Sequence, residues 1–399
     1  MIDEVNEIDK GLFRHLVYGV IENLYYIDFI IKKYTKNKID KNIINILRMA
    51  IYELVFLNTK NYAVINEAVN NTKKINFRAK GFVNGVLRNI DRNLDYAKNI
   101  EIKDFKSEEE YLSVKYSTNL DIVKYIKNQY KNYEAIISSF VMNPSLSIRV
   151  NTYLTTKDEL KYRLKSKNIE YIDSKISKYS LIIKNPINIT ELEEFKEGLF
   201  TIQDEASSLV GEILSPKNNS LVLDLCAAPG SKSTHLLQLM NNTGEIYSND
   251  ISEDKINKIK ENFDRMKLSN YKITNYDASL KIDDFINKFD YILVDAPCSG
   301  LGVIKRKPEI KLNRKIEDIL SLANIQKQIL ENAYFYLKKD GKLVYSTCTL
   351  GDIENQKIIY EFLNNHQDLK LIKIDDKDYI EILPNESSDG FFIAKILKK

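Results

Sequence analysis

Apolar positions follow two rhythms along this chain of 399 residues. Up to about residue 130 they recur at helical spacing. Ile43, Leu47, Ala50 and Leu54 are separated by steps of four, three and four, which places them on one helix face. Gly and Pro are scarce there and strand-like alternation is absent, so the pattern predicts an all-α bundle. From about 140 to 212 the texture changes. Asn143-Pro144 marks a turn, Leu146-Ser-Ile148-Arg-Val150 alternates as a strand does, Lys157 to Lys167 is a polar helix, and Ser180 to Lys184 is a second strand. A small α/β module is expected.

Beyond about 213, short apolar runs alternate with helical stretches. The predicted strands are Leu221–Leu225, Glu245–Asp250, Lys272–Asp277, Tyr291–Asp295 and Lys342–Ser346, with helices at Lys232–Met240 and Ser252–Lys267. Such alternation implies a mostly parallel, seven-stranded sheet with helices on both faces, a Rossmann-like architecture. The last run, Gly390–Leu397, has no helix after it and reads as an antiparallel edge strand. The expected organisation is therefore a helical domain over 1–130, a small α/β linker module over 131–212, and a C-terminal α/β domain over 213–399.

Composition changes this picture little. Hydrophobic residues make up 44%, enough for a sizeable core, and the formal net charge of +3 permits nucleic acid as a partner without demanding it. No run is long and apolar enough to span a bilayer, and the acidic start Met-Ile-Asp-Glu-Val lacks a signal-peptide layout, so a cytoplasmic location is expected. Three cysteines with no Cys-x-x-Cys give no disulfide framework, and the three histidines, His15, His235 and His366, offer no zinc spacing; no metal is expected.

The three cysteines nevertheless carry the chemistry, because each sits at the C-terminal end of a strand-like run, the edge where ligands bind in a parallel sheet. The first strand leads into Cys226-Ala227-Ala228-Pro229-Gly230-Ser231-Lys232 and then a helix. The Gly-x-Gly-x-x-Gly fingerprint is missing, which argues against NAD, and only Gly230 lets backbone approach a ligand closely. Asp250 ends the second strand, where a carboxylate can accept ribose hydroxyls, and Asp277 ends the third, where it could receive an adenine amino group. An Asp after a strand also serves as a helix cap or turn residue. Several in register at successive strand ends favour an adenosine without pyrophosphate, and S-adenosylmethionine fits that description. Cys226 reads as a small apolar side chain whose backbone touches the cofactor, and His235 as a packed residue rather than a catalyst.

Cys298 lies in Asp295-Ala-Pro-Cys298-Ser-Gly and Cys348 in Tyr-Ser-Thr-Cys348-Thr. Two such thiols suit methylation at carbon 5 of cytosine. That carbon is a poor nucleophile until a thiolate adds to carbon 6, after which the proton at carbon 5 must leave and the thiol be expelled; a second Cys can supply acid or base. The base must be unstacked to reach the pocket. Asp295 is placed to stabilise the adduct at ring nitrogen 3, and Lys232 is a candidate source of the positive charge that a thiolate needs.

These motifs resemble RNA cytosine-5 methyltransferases, and nearly the whole chain is similar to the RsmB (Sun/Fmu) family of 16S ribosomal RNA methyltransferases. The resemblance rests on Cys226 to Lys232, Pro297-Cys298, Thr347-Cys348, Arg306-Lys-Pro-Glu-Ile310, Asp389-Gly-Phe-Phe392 and Gln203-Asp-Glu-Ala-Ser207. It implies a class I S-adenosylmethionine-dependent fold, with residues 226–232, Asp250, Asp277 and Asp295 around the cofactor, Cys348 as nucleophile and Cys298 assisting product release. The helical part resembles NusB, an RNA-binding factor, through Leu47-Arg-Met-Ala-Ile-Tyr-Glu-Leu54, Ile65-Asn-Glu-Ala68 and Phe82-Val-Asn-Gly-Val-Leu-Arg88. The partner implied is 16S rRNA, naked or in a small-subunit assembly intermediate, and a monomer is expected. Transfer RNA as substrate, or a non-catalytic RNA-binding or ribosome-assembly role, are the alternatives. Arg14, Arg48, Arg78 and Arg88, with Arg149 and Asn151, are candidate RNA contacts. Ser231, Tyr276 and Gly351-Asp352 depart from the family pattern, while Glu354-Asn355 keeps it.

Overall fold

The computed structural model describes residues 10–185 and 188–399, so the first nine residues of the expected bundle lie outside it. The chain forms two compact units. One comprises the chain up to Val141 together with Lys307–Arg314; the other holds Met142–Arg306 and Lys315–Lys399.

The first unit is helical among its described residues. The periodic positions pack as expected: Ile43, Leu47, Ala50 and Leu54 are all buried in the helix Lys41–Phe56, which Asp40 caps by accepting from the backbone of Asn42 and Ile43. They meet Ile27 and Ile30 from the helix Leu24–Tyr34 and Val83, Leu87 and Ile90 from the helix Lys80–Arg92. The excursion Lys307–Arg314 is anchored in this unit by a buried lysine. Lys311 donates its Nζ to the carbonyls of Glu22 (2.6 Å) and Tyr116 (3.2 Å), and burial lowers its pKa to about 8.

The second unit contains two sheets. Strands β1 (Leu146–Val150), β2 (Tyr171–Asp173), β3 (Ser180–Ile183) and β4 (Phe200–Ile202) form an antiparallel sheet in the order β2-β3-β1-β4. The larger sheet is built from β5 (Leu221–Asp224), β6 (Glu245–Asn249), β7 (Tyr271–Thr274), β8 (Phe289–Asp295), β9 (Leu337–Thr347), β10 (Leu369–Ile372), β11 (Tyr379–Ile382) and β12 (Phe391–Lys398). Its order is β10-β12-β9-β8-β5-β6-β7, with β11 also on β12. The β5–β6, β6–β7, β5–β8 and β8–β9 ladders are parallel, as the strand–helix alternation requires.

Two expectations need correction. The sheet has eight strands rather than seven, and β12 is antiparallel but not at an edge. It pairs with β9 on one side and, in tandem, with β10 and β11 on the other. The apolar run Phe391–Ala394 is fully buried, consistent with an interior strand.

The candidate RNA contacts Arg149 and Asn151 are also corrected, because both are completely buried. Arg149 leaves β1 and donates to Gln203 Oε1 (2.8 Å), the Ser231 carbonyl (2.7 Å) and Thr234 Oγ1 (3.1 Å), and desolvation lowers its pKa to about 9. Asn151 donates to the carbonyls of Gly198 (2.9 Å) and Met266 (3.0 Å). Both side chains fasten the small sheet to helices Ser231–Leu239 and Glu253–Arg265, which follow strands of the larger sheet. In the helical unit Arg48 is paired with Asp28 through two contacts of 2.8 Å, whereas Arg14, Arg78 and Arg88 are exposed.

Candidate active site

The strand ends of β5 to β9 gather the chemistry foreseen from the sequence. The Cys226–Gly230 loop is strapped to the end of β6. Ala227 N donates to the Asn249 carbonyl (2.7 Å), and Asn249 Nδ2 donates to the Leu225 carbonyl (3.0 Å) and the Tyr276 carbonyl (3.1 Å). The Ala228–Pro229 peptide is cis. Gly230 has φ +97°, a conformation that favours glycine, and a Cβ there would also be tight at 3.1 Å from Ile259 Cα. Ser231 opens the helix Ser231–Leu239 with a negative φ, so its departure from the family's second Gly needs no special backbone freedom.

Asp250 accepts from Ala228 N (3.0 Å) through Oδ2 and from Ser252 N (3.0 Å) through Oδ1. Asp277 Oδ1 accepts from Ser279 N (2.9 Å) and Oγ (2.7 Å). Both carboxylates are thus shaped by their turns and remain half-buried, with lone pairs to spare for hydroxyl or amine donors. Burial raises the Cys226 thiol well above the ordinary range, and the charges of Asp224, Asp295, Asp250 and Asp277 push the same way. These effects disfavour a thiolate at Cys226, in line with the packing role expected of it. His235 is fully buried, edge-on to Tyr179 at 5.3 Å, and desolvation holds its pKa well below 6.5, in keeping with a packed residue.

The other two thiols meet. Parallel pairing of β8 with β9 puts Asp295 opposite Ser346, so the loops that follow both strands emerge side by side. Cys298 Sγ lies 3.4 Å from Cys348 Sγ. Asp295 bridges the two halves of the site. Its Oδ2 pairs with Lys232 Nζ at 2.6 Å and its Oδ1 accepts from Ser346 Oγ at 2.7 Å. Burial opposes the charge on Lys232, but the attraction and hydrogen bond of Asp295 outweigh it and hold the lysine above its usual value; Cys348 adds to the same trend. The Cys298 thiol is pushed well up by its hydrogen bond to Cys348, then by burial and by the charges of Cys348, Glu354 and Asp295. Two thiols this close ionise one at a time, and the proton that remains belongs to the pair.

Sequence reading gave no site role to three residues here. Asp224, at the end of β5, is completely buried, accepts from Ser233 Oγ (2.6 Å), and has its pKa raised to about 7 by burial. Glu354 and Gln326 are likewise fully buried, next to the loop of Cys298. The Glu354-Asn355 pair was visible as a family match, but nothing local in the chain tells where Gln326 points. Among the described residues no cluster of three or more His, Cys, Asp or Glu could hold a metal ion, and no helix could cross a membrane.

Residues 211–397 match the family described as 16S rRNA methyltransferase RsmB/F, residues 2–92 match the NusB family, and residues 122–190 match an RsmF/B-like ferredoxin-like domain. The chain is 35% identical to the "probable ribosomal RNA small subunit methyltransferase B" of Bacillus subtilis (strain 168), covering 100% of this chain and 92% of that protein. The chain belongs to the RsmB/F family of 16S rRNA methyltransferases. The ribosomal RNA small subunit methyltransferase B of Proteus mirabilis (strain HI4320) is 33% identical over 99% of this chain and 92% of its own. Among solved structures, PH0851 superposes with a TM-score of 0.81 at 27% identity, covering 99% of this chain and 92% of its own. A methyltransferase homolog protein from Pyrococcus horikoshii superposes with a TM-score of 0.67 at 27% identity, over 74% of this chain and 100% of its own. The fold is that of S-adenosylmethionine-dependent methyltransferases, joined to a NusB-like helical region.

Proposed function

We propose that this RsmB/F-family protein methylates carbon 5 of a cytosine in 16S rRNA, with S-adenosylmethionine as donor and Cys348 as the covalent nucleophile. The observation that carries the reading is the pair of thiols 3.4 Å apart beside the Lys232–Asp295 ion pair. The residues around the cofactor cleft suit an adenosyl donor: half-buried Asp250 and Asp277 offer acceptors for ribose and adenine, and the Cys226–Ser231 loop brings backbone close at Gly230. When bound, the donor supplies an electrophilic methyl group.

The protein's own residues divide the remaining work. Lys232 keeps positive charge near Cys348 and so favours its thiolate. Cys348 adds to carbon 6 of the splayed base, making carbon 5 nucleophilic. Asp295 is oriented from both sides by Lys232 and Ser346, which supports a role in stabilising the adduct at nitrogen 3. Once Cys348 is bound to carbon 6, its hydrogen bond and charge no longer hold the proton on Cys298, so Cys298 can give that proton to solvent and, as thiolate, take the proton that leaves carbon 5; the carbon–hydrogen electron pair re-forms the ring double bond and Cys348 departs as its thiolate. The NusB-like helices, with Arg14, Arg78 and Arg88 exposed, and the small antiparallel sheet are read as RNA-binding parts of a cytoplasmic monomer, over 1–130 and 131–212, ahead of a catalytic domain over 213–399.

Cys348→Ala should abolish methyl transfer to 16S rRNA, and retained turnover would refute its assignment as nucleophile. Mapping 5-methylcytosine in ribosomal and transfer RNA from cells with and without the protein separates the ribosomal reading from the transfer RNA one. Loss of no methyl mark in either RNA would leave only the non-catalytic role.

A further inference from the structure

Glu354 occupies a place that the reaction does not explain. It is fully buried beyond the ends of β8 and β9. Its Oε1 accepts from Ser299 N (2.9 Å) and from Gln326 Nε2 (2.9 Å), and its Oε2 accepts from the Ser299 hydroxyl. Gln326, from the helix Ile316–Tyr336, also donates to the Pro297 carbonyl at 2.9 Å. The residues immediately before and after Cys298 are therefore held by one carboxylate and one amide.

The same pair of positions reaches around the other thiol. Ser299 Oγ lies 2.6 Å from Thr349 Oγ1, and the neighbour of Glu354, Asn355, accepts from Thr347 Oγ1 at 2.6 Å. Tyr345 OH, on β9, donates to the Glu354 carbonyl at 2.6 Å. Thr347 and Thr349 flank Cys348 as Pro297 and Ser299 flank Cys298. A buried carboxylate is costly unless its lone pairs are filled, and here the donors that fill them come from the Cys298 loop and its supporting helix.

We infer that Glu354 is a positioning residue that holds the Cys298 loop in register with Cys348, so that the release thiol meets the nucleophile. The inference rests on the thiol chemistry proposed above. Misplacing a reacting group by about 1 Å can cost on the order of a hundredfold in rate. Loss of Glu354 should act after addition of Cys348, not on RNA binding.

The test uses the full-length protein, transcribed 16S rRNA and S-adenosylmethionine. It measures kcat, KM for RNA, the melting temperature, and the fraction of protein in a denaturant-resistant RNA adduct at steady state. Glu354→Ala should lower kcat by about 30-fold or more, change KM by less than about threefold, and accumulate adduct as Cys298→Ala does. Glu354→Gln keeps the acceptor at Oε1 and should restore kcat to within about fivefold of the parent. Should Glu354→Ala fail to fold, Gln326→Leu, which frees Pro297 and leaves Glu354 in place, must show the same split in smaller measure. An unchanged kcat, a loss expressed mainly in KM, or no rescue by Gln would overturn the positioning role. An adduct in Cys298→Ala but none in Glu354→Ala or Gln326→Leu refutes that role alone. No adduct in Cys298→Ala refutes the thiol chemistry, and this inference with it.

Discussion

Gly302 offers a direct test of how tightly the thiol loop is clamped. It follows the Cys298 loop and lies against Gly390, the residue before β12. A Cβ at Gly302 would stand 2.2 Å from the Gly390 carbonyl oxygen, 2.6 Å from its carbon and 2.8 Å from its Cα. An ordinary carbon–oxygen contact is about 3.3 Å, so Gly302→Ala must drive two backbones apart by about 1 Å, and no flexible side chain is there to yield. That displacement breaks two hydrogen bonds, Gly390 N to Gly302 O (2.9 Å) and Gly302 N to Cys348 O (3.0 Å). Each is worth about 1 kcal/mol net, and overpacking adds about 1–3 kcal/mol, for a total of about 3–5 kcal/mol. For a unit of this size the melting temperature should fall by roughly 10 °C. Because the second bond ends on the carbonyl of Cys348, methyl transfer should fall at temperatures where the variant is still folded. Thermal unfolding followed by circular dichroism, with activity measured well below the transition, checks both. A variant that melts within about 2 °C of the parent and turns over normally would refute the clamp.

The remaining predictions concern charge and backbone. Cys298→Ala should trap a covalent protein–RNA complex, visible as a shifted band on a denaturing gel; its absence under turnover conditions counts against the release role. Asp224 has its pKa raised from 3.8 to about 7, so the folded chain binds that proton more tightly than the unfolded chain. Its stabilising contribution is complete below pH ~4 and is lost as pH rises through about 7, on the order of 4 kcal/mol across the window at about 1.4 kcal/mol per pH unit. Denaturant titrations of the parent should show this fall in stability between pH 4 and 8, Asp224→Asn should flatten it, and parallel profiles would contradict the burial argument. Lys232→Gln should move the acid limb of the pH–rate profile upward by about one pH unit, and an unmoved limb would separate Lys232 from activation of the thiol. Gly85→Ala, in the helix Lys80–Arg92 with nothing within 4 Å of the new methyl, should stabilise the helical unit by about 0.5–1 kcal/mol, read as a higher denaturant midpoint.

What could be read from the chain alone was whatever depends on near neighbours. Periodicity put Ile43, Leu47, Ala50 and Leu54 on one helix face and placed the strands β1, β3, β5, β6 and β8 within a residue or two, because an amphipathic face or a buried strand is written locally. The motifs around Cys226, Cys298 and Cys348 marked the strand ends that matter, because each combines a thiol with neighbouring polar residues at the edge of a parallel sheet where ligands bind. Partners distant in sequence were not legible. The two thiols are 50 residues apart in the chain, and only the parallel register of β8 on β9 brings them to 3.4 Å. Arg149 looked like an exposed cation until packing between β1 and the helix Ser231–Leu239 buried it, and β12 looked like an edge until β10 and β11 closed over it. The difference is physical: local pattern fixes which face of an element is apolar, whereas desolvation, ion pairing and the apposition of loops depend on which elements finally touch.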